Sequence, residues 1–238
     1  MSGANGEKIE AYLARPLADH RRGGVVVIHH MPGYDRATKE MTRRIAAMGY
    51  DALCPNLFWR EAPGADPDDA SAAARALGGV PDERLVGDVA AAVDYLRQLP
   101  QASARVGVIG HCSGGRQAVL VGCQVQVDAV VDCYGAYVTG DPPPNWPLRV
   151  TNLVRILPNL SAPVLGLFGN EDRTPSPEHV DEFEAILQAN RKEAEFFRYT
   201  SAGHGFFAVD RTSYRVIAAV DGWERIAAFF AHHIAQEA

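Results

Sequence analysis

The feature that most constrains this chain is a cysteine placed where an apolar strand turns sharply into a helix. The segment Gly110–Gly115, with sequence GHCSGG, directly follows the strand-like run Arg105–Ile109. A G-x-C-x-G turn needs glycine on both flanks, because the central backbone is strained and the next elements pack too closely for a β-carbon. Such a turn exposes the sulfur at the edge of a sheet. Cys112 fits this nucleophile position better than Ser113, whose own flank would be His111.

Two other interpretations of this turn have to be weighed. Glycine-rich turns from strand to helix also occur in nucleotide-binding folds, but their fingerprints need G-x-G-x-x-G spacing or a Lys-Ser/Thr pair after the glycines. Gly107, Gly110 and Gly114 miss that spacing. A free cysteine is also commonly a buried, inert thiol. The sequence favours a nucleophile at Cys112, with a structural thiol as the alternative.

Length and composition indicate one globular domain spanning residues 1–238. The 238 residues are 47% hydrophobic with a formal net charge of −6, which is enough apolar material for a large core and no basis for nucleic-acid binding. The longest apolar runs are strand-sized and far shorter than a membrane span. The first residues lack the basic start and apolar stretch of a secretory signal. We expect a cytoplasmic protein, monomeric or a small homo-oligomer, with no membrane partner.

The four cysteines do not form a metal or disulfide pattern. No C-x-x-C pair occurs among Cys54, Cys112, Cys123 and Cys133, and three of them lie in or beside apolar segments. A disulfide framework or zinc site is therefore not expected.

Apolar runs of strand length alternate with stretches of helical spacing along the chain. The pattern predicts strands at Val25–His29, Tyr50–Cys54, Arg105–Ile109, Val127–Cys133, Val164–Phe168 and Glu195–Tyr199. It predicts helices at Thr38–Met48, Ala70–Leu77, Glu83–Leu99, Ser113–Gly122, Pro177–Asn190 and Arg211–Ile234. Alternation of this kind indicates the α/β class, a mostly parallel sheet with helices on both faces. The proline-rich segment Gly140–Pro147 is expected to be irregular, either a rim over the site or a surface excursion.

Four segments that follow predicted strands carry the polar residues of interest. They begin at His29, at the elbow, at Gly169 and at Ser201. Because functional sites in such sheets lie outside the carboxyl ends of the strands, these segments are expected to meet. The chain order of nucleophile, acid and histidine is that of an α/β-hydrolase triad.

On these residues the sequence resembles the dienelactone hydrolase family of α/β-hydrolases, from about residue 25 to the last helix. The most specific segments are Cys54–Gly64, Gly87–Ala92, Gly110–Gly115, Tyr134-Gly135 and Ala202–His204. A cysteine in the elbow is itself a mark of this family. The resemblance implies the α/β-hydrolase fold and an esterase or lactonase activity.

Carried over residue by residue, the resemblance implies Cys112 as nucleophile, Asp172 as the orienting acid and His204 as the base. Glu171 is the realistic competitor of Asp172, and His204 could otherwise be an ordinary surface histidine. The backbone N–H groups of Met31 and Ser113 are expected to form the oxyanion hole.

This chain departs from the family pattern at residue 30. Where well-known members carry a glutamate just before the oxyanion residue, this chain has His30. As an imidazolium close to Cys112, His30 would favour a resting thiolate; it could also polarise the substrate or satisfy a buried hydrogen bond. His29 and His30 are not expected to bind metal together, since adjacent strand residues point to opposite faces.

A second departure concerns the substrate's charge. Lactone-processing members hold a substrate carboxylate with arginines, one of them four residues after the catalytic histidine, where this chain has Ala208. Arg75 and Arg211 are candidates to replace it. Tyr134 keeps the family's tyrosine and could donate to a substrate oxygen. Trp59 and Phe206, together with Phe58 and Phe207, could form an aromatic pocket wall or belong to the core.

The sequence thus predicts a hydrolase of small-molecule carboxylic esters or lactones that needs no metal or organic cofactor. Two alternatives stay open. The same triad could serve an acyltransferase or a hydrolase of another activated acyl or phosphoryl group, and the fold could serve as a non-catalytic small-molecule binding module.

Overall fold

A seven-stranded sheet organises the chain, for which a computed structural model describes residues 1–17, 23–100 and 102–235. The strands run in the order β1-β3-β2-β4-β5-β6-β7. All neighbouring pairs are parallel except β1 with β3, which are antiparallel. The strands are β1 Ala11–Ala14, β2 Gly24–Ile28, β3 Asp51–Pro55, β4 Val106–His111, β5 Ala129–Cys133, β6 Val164–Gly169 and β7 Ala194–Tyr199. The mostly parallel α/β sheet predicted from the sequence is confirmed.

Helices cover both faces of the sheet. They are α1 Arg36–Ala47, α2 Pro67–Ala76, α3 Asp82–Arg97, α4 Ser113–Gln124, α5 Pro177–Ala189 and α6 Val216–His233. Apolar residues of α2 to α5 form one buried cluster and those of α1 and α6 form another. Strand β2 contributes side chains to both clusters. Val26 and Ile28 pack in the first, and Val25 and Val27 pack in the second. That is why its sequence is a continuous apolar run.

Two elements differ most from the sequence-based expectation, while α2 begins three residues earlier than predicted, at Pro67. Strand β1 was not predicted, because four residues at the edge of a sheet carry too short a pattern; it is held by pairing with β3, Tyr12 opposite Cys54. Helix α6 begins at Val216 rather than at Arg211. The chain from Gly205 to Tyr214 makes successive turns instead, in which the N–H groups of Ala208 and Arg211 donate to carbonyls three residues earlier.

The topology brings the carboxyl ends of β2, β4, β5, β6 and β7 to one edge of the sheet. The four segments that begin at His29, at the elbow, at Gly169 and at Ser201 leave the sheet at this edge. Within the described ranges, none of the helices combines the length and apolar character needed to cross a membrane.

Candidate active site

Cys112 occupies a strained turn between β4 and α4. Its backbone angles are φ 56° and ψ −125°, in a region that side-chain-bearing residues rarely adopt. The N–H of Cys112 donates to the carbonyl of Cys133 on the neighbouring strand at 2.9 Å. Its side chain is partly exposed, whereas Cys54, Cys123 and Cys133 are buried. The structure therefore presents one of the four thiols at the sheet edge.

The glycines around this turn are required by close backbone contacts. A β-carbon at Gly110 would lie 1.9 Å from the carbonyl oxygen of Gly114, and one at Gly114 would lie 2.4 Å from that of Ile28. No real β-carbon tolerates such distances from backbone atoms. The two glycines thus let α4 start directly against β2 and β4, which fixes where Cys112 points.

His204 and Asp172 reach the same edge from β7 and β6. His204 Nδ1 donates to Asp172 Oδ2 at 2.8 Å, and the N–H of Thr174 donates to Asp172 Oδ1 at 2.9 Å. Both carboxylate oxygens are therefore engaged, and the Asp172 side chain is only 3% exposed. Glu171, the competing acid, is solvent-exposed. The structure brings Asp172, rather than Glu171, to the histidine.

The other side of His204 faces Cys112. Burial lowers the pKa of His204, but hydrogen bonds to Asp172 and Cys112 and the charges of both groups outweigh it and raise the pKa to about 10. His204 therefore stays protonated at neutral pH. An imidazolium and a helix N-terminus are the two environments that best stabilise a thiolate, and Cys112 has both because it is the N-cap of α4.

Two backbone N–H groups beside Cys112 are available to a ligand. Ser113 is the first residue of α4, where N–H groups have no partner inside the helix, and Met31 lies in the loop after β2. Across the described ranges, neither of these N–H groups donates to another protein atom. Met31 and Ser113 both line a cavity that contains Cys112. They have the placement expected of oxyanion-hole donors.

His30 lies near Cys112, as predicted, but it is not the cation that the sequence analysis expected. Burial lowers its pKa, and the positive charges of Arg211 and His204 lower it further; Asp35, 3.8 Å away, opposes them but does not compensate. His30 is therefore neutral at pH 7. The expectation that its imidazolium favours the thiolate is wrong, and His204 carries that charge instead.

His29 and Tyr134 hold the surroundings of the site in place. His29 is buried, donates from Nδ1 to the carbonyl of His30 at 3.0 Å and accepts at Nε2 from the N–H of Leu57 at 3.0 Å. Tyr134 packs its ring edge-on to His204, with centroids 5.1 Å apart, and edge-on to the buried Phe206 at the same distance. Burial raises the pKa of Tyr134 well above its ordinary value. Tyr134 thus packs against the His204 ring and helps to hold it in position.

Two cavities formed by described residues open onto Cys112. The first, about 240 Å³ and here called the Trp146 cavity, also contains Met31 and Ser113. The second, about 70 Å³ and here called the His204 cavity, contains His30, Tyr134 and His204. The Trp146 cavity is walled mainly by apolar side chains, among them Leu57, Phe58, Val80, Tyr137, Trp146 and Leu148. The proline-rich segment therefore forms a rim over the site, one of the two outcomes the sequence left open.

Three arginines line the Trp146 cavity. Arg116 is buried and pairs with Asp82 through two contacts of 3.0 and 2.8 Å. Arg75 and Arg149 are exposed, and within the described part of the chain neither has an acidic partner. The other candidate cation, Arg211, lines the His204 cavity.

Two residues predicted to contact the substrate lie elsewhere. Phe206 is fully buried, with its ring packed on Tyr134, Tyr199 and Phe207, so it belongs to the core. Trp59 is partly buried and is not among the described residues that line either cavity at Cys112. Phe58 lines the Trp146 cavity in its place, with its ring packed edge-on against His29 at 4.7 Å.

Sequence reasoning missed two buried polar groups beside the elbow. His111 is 4% exposed and lies between the rings of Tyr134, Phe207 and Trp223, and burial lowers its pKa to about 3. Asp132 is fully buried and accepts from the N–H of Gly135 at 2.7 Å, and burial raises its pKa to about 7. The available signal was a polar side chain inside or next to an otherwise apolar strand, which is uncommon.

The site's sequence and geometry can be compared with known proteins. The model of the dienelactone hydrolase family matches residues 9–234. The chain belongs to the dienelactone hydrolase family. It is accordingly a hydrolase that acts on a small molecule, as the resemblance implied.

Relatives of this family member are similar over nearly their whole length. A protein of Salmonella typhimurium, named "Putative carboxymethylenebutenolidase", is 34% identical over 236 residues, which cover 97% of this chain and 85% of that protein. A Bradyrhizobium protein, named "Probable 2-oxo-3-(5-oxofuran-2-ylidene)propanoate lactonase", is 30% identical over 98% of this chain and 92% of its own. A crystal structure from Klebsiella pneumoniae, described as a "Putative Dienelactone Hydrolase", has a TM-score of 0.84 at 31% identity, covering 97% of this chain and 95% of that one.

In this member of the dienelactone hydrolase family, the assignment of the positive charge to His204 predicts how fast the Cys112 thiol reacts. His204→Gln should slow alkylation of Cys112 by iodoacetamide at pH about 6 to 7 by tenfold or more, because it removes the imidazolium that pairs with the sulfur. His30→Gln, the matched control, should change the rate far less, because burial lowers the pKa of His30 and disfavours its charged form. Thiolate absorbance near about 240 nm followed against pH checks the same point. If His30→Gln slowed the alkylation more than His204→Gln, the positive charge would have to be assigned to His30.

Proposed function

We propose that this protein hydrolyses carboxylic esters or lactones through a triad of Cys112, His204 and Asp172. One observation carries the proposal. The strained Cys112 lines the same small cavity as His204, whose Nδ1 lies 2.8 Å from Oδ2 of the buried Asp172. A nucleophile, a base and an orienting group brought together in this order are the signature of covalent acyl transfer.

Acylation begins with attack of the Cys112 sulfur on the substrate carbonyl. The carbonyl oxygen becomes an oxyanion, which the N–H groups of Met31 and Ser113 stabilise at the positive end of α4. As the tetrahedral intermediate collapses, the bond between the carbonyl carbon and the leaving oxygen breaks. His204 donates its proton to that oxygen, and a thioester on Cys112 remains. Asp172 keeps Nδ1 of the ring occupied, so that the other nitrogen faces the reaction.

Deacylation runs through the same groups. Neutral His204 takes a proton from a water molecule as the water attacks the thioester carbonyl, and the same backbone donors stabilise the second oxyanion. The bond from carbon to sulfur then breaks, and the sulfur leaves as a thiolate beside the restored imidazolium. A thiolate paired in this way is a good leaving group, which suits the hydrolysis of an acyl-enzyme.

The acid part of the substrate is expected in the Trp146 cavity, whose walls are mainly apolar. Arg75 and Arg149 could contact a carboxylate there, but both are exposed. A solvated cation is screened, so each would strengthen binding of a carboxylate by no more than about fivefold. With Ala208 where a further arginine would complete a carboxylate clamp, we expect neutral esters and lactones to be turned over at least as well as carboxylate-bearing ones. The lactonase named among the relatives supports lactones as one substrate class.

An acyltransferase would use the same triad and is distinguished by the acceptor. Product formation that rises with added alcohol or amine, at the expense of the free acid, would favour transfer over hydrolysis. A non-catalytic binding module would turn over no ester.

The proposal predicts that Cys112→Ala abolishes hydrolysis of p-nitrophenyl acetate, with a loss of at least about 10³-fold in kcat, because it removes the acyl acceptor. Cys112→Ser should retain weak activity at most, since a hydroxyl is harder to deprotonate. Cys54→Ala, Cys123→Ala and Cys133→Ala serve as controls and should lose little catalysis while reporting on core packing. Inactivation by one of these three, with Cys112→Ala still active, would assign the nucleophile elsewhere.

The proposal also predicts which acid matters. Asp172→Asn should lower kcat by about 10²-fold to 10⁴-fold, because the asparagine cannot hold the correct tautomer or balance the imidazolium. Glu171→Gln, one position earlier and exposed, should change kcat by less than about threefold. Both are measured with the same ester at saturating concentration. A larger loss in Glu171→Gln would remove Asp172 from the triad.

A further inference from the structure

A third cavity lies beyond the His204 cavity. It has a volume of about 490 Å³, lies between α1, α6 and the turns after His204, and is here called the Trp223 cavity. Four residues line both the His204 cavity and the Trp223 cavity, namely His30, Met41, Ala208 and Arg211. The two spaces therefore adjoin, and the small side chain of Ala208 stands at their junction.

The chemistry of acylation determines which part of an ester lies on each side of Cys112. The proton of His204 must pass to the oxygen that leaves, so the leaving group has to lie on the side of the histidine. His204 lines the His204 cavity but not the Trp146 cavity, whereas Ser113 lines the Trp146 cavity alone. Given the proposed function, the acid part of an ester therefore occupies the Trp146 cavity and its alcohol part enters the His204 cavity.

The His204 cavity is the smaller of the two adjoining spaces. Its volume is about 70 Å³, against about 490 Å³ for the Trp223 cavity. A long alcohol chain that outgrows the His204 cavity therefore continues past Ala208 into the Trp223 cavity.

We propose that the Trp223 cavity is the subsite for the leaving alcohol, and that it accepts an uncharged alcohol of medium chain length. Its floor is apolar, formed by Met41, Phe207, Ala208 and Trp223. Its charged residues are three acids and three arginines, Asp35, Glu40, Asp210, Arg43, Arg44 and Arg211, which carry no net charge together. Two of them, Glu40 and Arg43, form an ion pair with each other. Such a rim gives no preference for an ionic alcohol.

The second histidine ring in the His204 cavity does not compete for the catalytic proton. His111 lines that cavity, and burial lowers its pKa to about 3, so the ring is neutral. His30, also neutral, lines the same passage.

Two isomeric esters test the assignment, because they differ only in the side that carries the long chain. Hexyl acetate extends on the alcohol side and ethyl hexanoate extends on the acid side, with the same atoms and the same overall hydrophobicity. Ala208→Leu, which fills the junction, should lower kcat/KM for hexyl acetate relative to ethyl hexanoate by about tenfold or more. Ala136→Leu, which narrows the Trp146 cavity, is the matched control and should shift the ratio in the opposite direction.

The outcomes separate this inference from the proposed function. If the wild-type protein hydrolyses neither ester nor p-nitrophenyl acetate, the proposed function fails. If it hydrolyses both isomers and Ala208→Leu lowers them equally, or lowers ethyl hexanoate more, the alcohol subsite is wrong while the function stands. Should Ala208→Leu not fold, as judged by circular dichroism, Ala37→Leu on the wall of the Trp223 cavity gives the same test with the same expected direction.

Discussion

The strained backbone at Cys112 is the constraint on which the rest of the site depends. A left-handed conformation at a side-chain-bearing residue persists only where the surroundings fix it, and here Gly110 and Gly114 let α4 approach the neighbouring backbone at distances that exclude a β-carbon. The hydrogen bond from Cys112 to Cys133 ties the turn to β5. As a result the sulfur sits at the N-terminus of α4, between two cavities and within reach of the histidine from β7. Every proposed catalytic contact follows from that placement.

Burial determines which of the histidines around the thiol are neutral. Burial lowers the pKa values of His29, His30 and His111, and in His30 it outweighs the opposing charge of Asp35 3.8 Å away. His204 is the exception because Asp172 is in direct contact with it. One imidazolium therefore faces the sulfur while the three neutral rings shape the loop after β2 and the passage toward α6. A site with four histidines thus keeps a single defined proton donor.

The features that depend on local sequence patterns could be predicted from the sequence. Six of the seven strands and the elbow follow from apolar runs and glycine spacing. The position after β6 and β7 singled out the segments that carry the acid and the histidine, and the family resemblance then implied Asp172 and His204. Strand β1 escaped prediction because its pairing partner, β3, lies some forty residues away in the chain. The charge of His30 and the burial of Phe206 depend on tertiary packing, which no short motif encodes. The two cavities beyond the elbow, and the role of Ala208 between them, arise from segments that meet only in the folded protein.

The central claim is that Cys112 carries the acyl group between two half-reactions. Rapid acid quenching of the protein during turnover of p-nitrophenyl acetate, followed by peptide mapping with mass spectrometry, tests it directly. The account predicts one acetyl group per chain, on the peptide that contains Cys112, lost on treatment with hydroxylamine and absent in Cys112→Ala. Turnover at full rate with acetyl on another residue, or with the label persisting in Cys112→Ala, would contradict it.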